Sequence, residues 1–109
     1  MNPNVTTIIG TVSTEPFVIS ERSGRRRRAG LQVDVLRKWW DRVADEYQEA
    51  TTTFDVRCRG YTAHNALAKL NHGDRLVICG HFETGQSDGM LELHADVIAV
   101  ALSDEPPAS

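Results

Sequence analysis

Basic and aromatic residues are concentrated in one stretch of the chain, between positions 22 and 40. Seven basic residues lie there against a single acid, Asp34, and two adjacent tryptophans, Trp39 and Trp40, close the stretch. The basic residues are Arg22, Arg25, Arg26, Arg27, Arg28, Arg37 and Lys38. Guanidinium and ammonium groups bind phosphate, and indole rings stack on flat π systems. The stretch is therefore a candidate surface for a polyanion that carries stackable rings.

The net charge of -3 conceals a strong segregation of charge along the chain. The basic stretch has a local charge of +6, whereas residues 81–105 contain six acids and no Lys or Arg, a local charge of -6. We therefore expect one basic face and one acidic flank. The alternative for the arginine run 25–28 is a solvated hairpin edge that only discourages aggregation.

The other reactive residue types do not form a recognisable site in the sequence. Cys58 and Cys79 lie in apolar runs without a Cys-x-x-Cys pair, so we interpret them as small buried hydrophobic residues. The four histidines lack the spacing of a metal site, so we expect no metal and no cofactor. They are His64, His72, His81 and His94. No spacing supports a nucleophile with its base, a phosphate-binding glycine loop or a carboxylate pair, and we expect a protein that is not an enzyme.

Hydrophobic periodicity predicts the strands that must position the basic stretch. Residues 5–12 are mostly β-branched and predict a first strand that breaks at 13–16, where Pro16 lies. Residues 29–35 alternate and predict a second strand, which ends at Trp39 and Trp40. The polar residues 41–50 predict a long hairpin loop. Apolar and polar residues alternate again in 51–59 and predict a strand whose solvent-exposed face carries Arg57 and Arg59.

The second half of the chain predicts one helix and two strands. The apolar residues of 62–70 have helical spacing, and Gly73 is expected to end this helix. Residues 75–82 and 91–102 predict two strands joined by a turn at 85–89. Five strands with a helix between the third and the fourth predict an all-β protein with one short helix, an OB-fold five-stranded Greek-key barrel. We expect the OB domain to span 1–102, with 103–109 as a short flexible tail. The sequence contains no membrane-spanning run or signal peptide, which predicts a cytoplasmic protein.

Seven local strings, in this order and spacing, give the chain a resemblance to bacterial and phage single-stranded DNA-binding proteins (the SSB family). The resemblance covers residues 4–101. The strings are IIGTV (8–12), EP (15–16), WWD (39–41), FDVRC (54–58), AHN (63–65), NHGDRLVICG (71–80) and LELHAD (91–96).

The resemblance implies a sequence-tolerant binder of single-stranded DNA in replication, recombination or repair, assembled as a homotetramer from dimers. In that family aromatic rings stack on bases, while Lys and Arg follow the phosphates. The implied DNA contacts are Arg22, Arg25, Arg26, Arg27, Arg28, Lys38, Trp39, Trp40, Arg57 and Arg59. Trp39 matches the family's aromatic at the end of strand two. Simple alternation from Ala29, however, places Trp40 on the solvent-exposed face.

The sequence also departs from the family pattern. Thr53 and Arg59 occupy strand-three positions where relatives often carry stacking aromatics, and residues 85–90 contain no aromatic. No long tail with an acidic, aromatic tip follows Leu102, so recruitment of replication or repair enzymes is not implied; the chain is either a tailless paralogue or one truncated after the OB domain. Two alternatives stay open: an OB-fold protein-interaction module, such as a primosomal adaptor or a partner of a main SSB paralogue, and an enzyme appendage that binds structured RNA.

Overall fold

The computed structural model describes residues 5–20, 26–85 and 89–102, which form five strands and one helix. In chain order these are β1 (Val5–Ser20), β2 (Arg28–Asp41), β3 (Glu46–Arg59), α1 (Gly60–Lys69), β4 (Arg75–Thr84) and β5 (Leu91–Val100). The strands close into a barrel in the order β1-β2-β3-β5-β4. The predicted OB fold, with its helix between the third and fourth strands, is confirmed.

One strand pair closes the barrel differently from the others. β1 pairs antiparallel with both β2 and β4, and β4 pairs antiparallel with β5. The β3–β5 pair is parallel and short, with Asp55 to Arg57 opposite Glu92 to His94. This seam brings the acidic fifth strand directly beside the arginines of strand three.

The barrel interior is filled by the alternating apolar residues of the strands. Leu31, Val33, Leu76, Ile78 and Leu93 are completely buried, as period-two patterning requires of residues that face a closed core. Helix α1 covers one end of this core. It does so with three buried apolar side chains, Ala63, Ala66 and Leu70 at its end.

Two of the predicted breaks are wrong. β1 continues through residues 13–16 to Ser20, and shifts in its register with β2 on either side of Thr14 accommodate Pro16. The predicted loop at 41–50 is instead the end of a long hairpin, in which β2 and β3 pair out to Asp41 opposite Glu46. A polar sequence fits a strand there because both faces of the projecting hairpin are solvated.

The tight turn that joins β2 to β3 is stabilised locally. The carboxylate of Asp41 accepts hydrogen bonds from the backbone N–H groups of Val43 and Ala44, at 2.9 and 3.2 Å. Asp45 takes the left-handed conformation, with φ 54°, which acidic and amide side chains tolerate better than most.

Other expectations for single residues are partly met. Cys58 is buried as predicted, whereas Cys79 is only half-buried. The helix begins at Gly60, two residues before the predicted start, where φ of 65° at this glycine turns the chain from strand to helix. Among the described residues no helix is long and apolar enough to span a membrane.

Candidate nucleic-acid interface

The outward-facing side chains of β2 and β3 form one continuous surface, which we call the sheet face. It runs from Arg28 opposite Arg59, at the barrel end, to Trp40 opposite Tyr47, near the hairpin turn. Alternation places Gln32 and Asp34 between these ends, opposite Asp55 and Thr53. Two hydrogen bonds verify this placement: Gln32 Nε2 donates to Asp55 Oδ1 (3.0 Å) and Thr53 Oγ1 donates to Asp34 Oδ1 (2.6 Å).

The barrel end of the sheet face is rich in arginine. Arg28 and Arg59 are exposed, and Arg57 lies with its Cζ 5.8 Å from the ring centroid of Phe17 on β1. Gly30 makes room for this contact, since a Cβ there would lie 2.7 Å from Arg57 Nη1 and 2.8 Å from Phe17 Cζ. The glycine thus lets a guanidinium and an aromatic ring share one patch of the surface.

An acidic cleft borders this arginine patch across the β3–β5 seam. Its volume is about 420 Å³, and arginines line one side while histidines and acids line the other. The polar lining residues include Arg28, Arg57, Arg59, His81, Glu83, Glu92, His94 and Asp96. The predicted basic face and acidic flank therefore meet.

One arginine of the patch is already paired inside the cleft. Arg57 Nε lies 3.2 Å from Glu92 Oε2, and both side chains are about one-fifth exposed. In the described part of the chain, Arg28 and Arg59 have no carboxylate within 4 Å. Two of the three guanidinium groups are therefore available to bind an external anion.

The acids of the cleft are linked to two histidines. Glu92 Oε1 lies 3.3 Å from His94 Nε2, and Glu83 Oε2 lies 3.2 Å from His94 Nδ1 and 2.9 Å from His81 Nε2. The hydrogen bond with His81, followed by the charge of His94, lowers the pKa of Glu83. This arrangement favours the ionised form of Glu83, and its negative charge opposes the attraction of an anion to the neighbouring arginines.

The two tryptophans lie on opposite faces of the projecting hairpin. Trp40 contacts Tyr47 edge to face, with ring centroids 5.0 Å apart, and so belongs to the sheet face. Trp39 points to the reverse face, where Arg37 Cζ lies 5.8 Å from its ring centroid. Trp39 is 45% exposed and Trp40 is 48% exposed, so neither is a core residue.

The remaining basic residues predicted for the site are dispersed. Arg22 and Arg25 lie outside the described residues. Arg26 is exposed just before β2, whereas Arg27 is half-buried with its Nη1 3.1 Å from His64 Nδ1 on α1. Lys38 lies on the sheet face directly opposite Glu49, which offsets its charge.

Three site residues were missed by the sequence analysis: Phe17, Tyr47 and Glu92. Phe17 lies just after the predicted break at 13–16 and Tyr47 lies within the predicted loop at 41–50, so no alternation pattern assigned either residue to a face. The pairing of Glu92 with Arg57 depends on the parallel seam, which no local signal indicates. Within residues 5–20, 26–85 and 89–102 no group of three His, Cys, Asp or Glu side chains is placed to hold a metal ion.

Comparison with solved structures identifies proteins of the same architecture. The small single-stranded DNA-binding protein of Streptomyces coelicolor matches with a TM-score of 0.74 at 26% identity, covering 94% of this chain and 96% of its own. The Plasmodium falciparum SSB, solved in complex with ssDNA, matches with a TM-score of 0.75 at 20% identity, covering 87% and 88%. This chain has the OB fold of these single-stranded DNA-binding proteins and resembles the SSB family.

Further comparisons show how far the similarity to known proteins extends. The dimeric N-terminal domain of PriB from Thermoanaerobacter tencongensis also shares the fold of this chain, with a TM-score of 0.68 at 18% identity over 94% of this chain and 100% of its own. No protein-family model and no curated protein sequence matches the chain. The resemblance to SSB proteins predicted from the sequence is borne out by these structures at the level of the fold.

Proposed function

We propose that this protein binds single-stranded DNA without sequence preference and protects it in replication, recombination or repair. The observation that supports the proposal is the continuity of the sheet face, which presents Arg28, Arg57 and Arg59 at one end and Trp40 with Tyr47 at the other. Guanidinium groups neutralise phosphates whatever the base, and every base has a face that stacks on an aromatic ring. The two ends of the surface therefore match the two parts of a nucleotide that do not depend on sequence.

The barrel end of the face supplies charge with little stacking. Thr53 and Arg59 replace the aromatics that the family pattern favours, and Thr53 is engaged with Asp34. A stacked base contributes about 1–3 kcal/mol, so the loss of two rings weakens one domain considerably. Several domains on one strand recover affinity through avidity.

An exposed apolar surface on the other side of the barrel supports assembly into a homotetramer built from dimers. The Thr7 Oγ1–Cys79 Sγ contact (3.4 Å) fixes the outward face of β1 and β4, and Val97 lies across from Cys79 on β5. Val5 and Ile9 share this face and, like Val97, are half exposed or more. An apolar sheet surface of this kind is typical of a contact between subunits.

The test is the salt dependence of oligo(dT) binding, measured by tryptophan emission. Replacing Arg28 and Arg59 by Gln together should lower the slope of log affinity against log salt by about 1.4, which is about 0.7 for each phosphate contact on a single strand. Arg75→Gln is the matched control, because Arg75 is exposed on β4 opposite Thr11, so that strand β1 separates it from the sheet face. A double variant with an unchanged slope would exclude the sheet face as the phosphate site.

A protein-interaction module is the second candidate, and two observations favour it. The PriB domain has the same fold, and the acidic cleft places Glu83, Glu92 and Asp96 beside the arginines. A surface of mixed sign suits a protein partner better than a polyanion. If oligo(dT) leaves the tryptophan emission unchanged at low salt, the interaction module becomes the better proposal.

A further inference from the structure

The outer part of the β2–β3 hairpin, residues 36–41 and 46–51, projects from the barrel, and we call it the arm. β1 follows β2 only as far as Asp34, and β5 follows β3 only from Asp55 to Arg57, so in the described structure the two strands of the arm pair only with each other. At about 3.4 Å per residue the arm is about 20 Å long, consistent with the 52 Å longest dimension of the molecule. Both of its faces are therefore open.

The two faces carry different sets of side chains. Leu36, Lys38 and Trp40 extend the sheet face, whereas Arg37 and Trp39 lie on the reverse face. The two ring contacts establish this division, because Trp40 meets Tyr47 on one side and Arg37 meets Trp39 on the other. A single strand of DNA that follows the sheet face to Trp40 therefore does not reach the ring of Trp39.

The reverse face carries a cation beside an aromatic ring, with its acids confined to the turn. Arg37 lies opposite Ala50 and Trp39 lies opposite Gln48, so no acid is directly across the strand pair from either. The nearest acids are at the turn: the Asp41 carboxylate accepts the turn N–H groups, and Glu46 Oε1 accepts a hydrogen bond from Gln48 Nε2 (2.9 Å). An aromatic ring beside a cation without an opposing acid combines a stacking surface with a phosphate contact.

We propose that the arm is two-sided: its sheet face binds the tract of single-stranded DNA that crosses the barrel, and its reverse face, through Arg37 and Trp39, binds a second tract of the same strand. The proposal rests on the function proposed above. A short oligonucleotide occupies the sheet face alone, whereas a strand long enough to turn around the arm occupies both faces.

The chain has only two tryptophans, so each face has its own fluorescent reporter. Trp39→Phe leaves Trp40 as the reporter and Trp40→Phe leaves Trp39, and both variants keep an aromatic ring in place. Titrating each with oligo(dT) of increasing length should quench Trp40 with short oligonucleotides and Trp39 only with longer ones. Trp39→Ala and Arg37→Gln should lower the number of nucleotides bound per protomer at saturation. Arg75→Gln should not.

Affinity separates the two tracts further. Trp39→Ala should weaken binding of a long oligo(dT) about 5- to 150-fold, which corresponds to one stacked base, but change the affinity for a short one less than about twofold. If Trp40 is quenched while Trp39 emission never changes, or if both are quenched together at every length, the two-sided arm is refuted and the proposed function stands. If neither is quenched and no binding is seen at low salt, both proposals fail.

Discussion

Neutralising Glu92 should strengthen the binding of single-stranded DNA, because Glu92 holds the one arginine of the sheet face that is already paired. Arg57 Nε lies 3.2 Å from Glu92 Oε2, and both side chains are largely shielded from solvent. In Glu92→Gln the guanidinium keeps its position against Phe17 but loses its internal counter-ion. It then becomes available to a phosphate.

The size of the gain follows from counter-ion release. One more phosphate contact adds about 0.7 to the slope of log affinity against log salt, which at 0.1 M salt is about a fivefold tighter complex, or about 1 kcal/mol. The loss of a partly exposed ion pair costs the fold about 0.2–1 kcal/mol. The variant should therefore bind oligo(dT) more tightly and unfold at a slightly lower temperature.

The assay is a titration of oligo(dT) between about 0.05 and 0.4 M salt, followed by tryptophan emission, together with thermal unfolding of the free protein. Removing any acid makes the net charge less negative, so the matched control is Glu15→Gln on β1, whose carboxylate lies near the backbone N–H of His72 rather than in the cleft. A Glu92→Gln protein with the same slope as the parent, or a gain equal to that of the control, would refute this account of Arg57.

Four further predictions concern the fold and its assembly. Gly80→Ala should destabilise the protein by about 3 kcal/mol or more in denaturant titrations, because the added Cβ would collide with the backbone carbonyl of His94 at the β4–β5 bulge; near-parental stability would contradict the tight strand contact. Burial raises the pKa of the Cys58 thiol to about 11, so in the native protein a thiol reagent at pH 8 should label Cys79 and spare Cys58. The same shift means that stability is retained below about pH 9 and falls as the pH rises toward 11, which unfolding curves across that range would test. Ile9→Glu should lower the mass seen by light scattering if the exposed β1 surface joins subunits, and an unchanged mass would exclude that surface.

The barrel itself could be predicted from the sequence because its strands obey simple alternation. Leu31, Val33 and Val56 face a single closed core, so their period of two is a direct record of burial. The helix was likewise predicted, since Ala63, Ala66 and Leu70 share one helical face. Family strings added the connection order that periodicity alone leaves open.

The arm and the acidic cleft could not be predicted, for different reasons. The arm has no buried face, so its polar residues carry none of the alternation that burial imposes on a strand, and the sequence around Tyr47 reads as a loop. The cleft depends on the parallel β3–β5 seam, where Arg57 meets Glu92 and His94 across a long stretch of chain. Contacts of that kind arise from closure of the barrel and leave no local signal.

The structure separates the two sources of binding energy that a single-strand binder combines. On the sheet face, Arg28 and Arg59, which have no carboxylate within 4 Å among the described residues, lie at the barrel end, whereas Trp40 lies on the arm. Phosphate contacts depend on salt and stacking depends on it only weakly, so the two ends should respond differently to the same titration. Substitutions in the barrel should change the salt slope with little effect on the quenching at saturation. Substitution of Trp40 should change the quenching and the affinity at every salt concentration while leaving the slope nearly constant. A variant of either end of the sheet face that changed both quantities in the same proportion would mean that charge and stacking act at one shared position of that face, contrary to its arrangement.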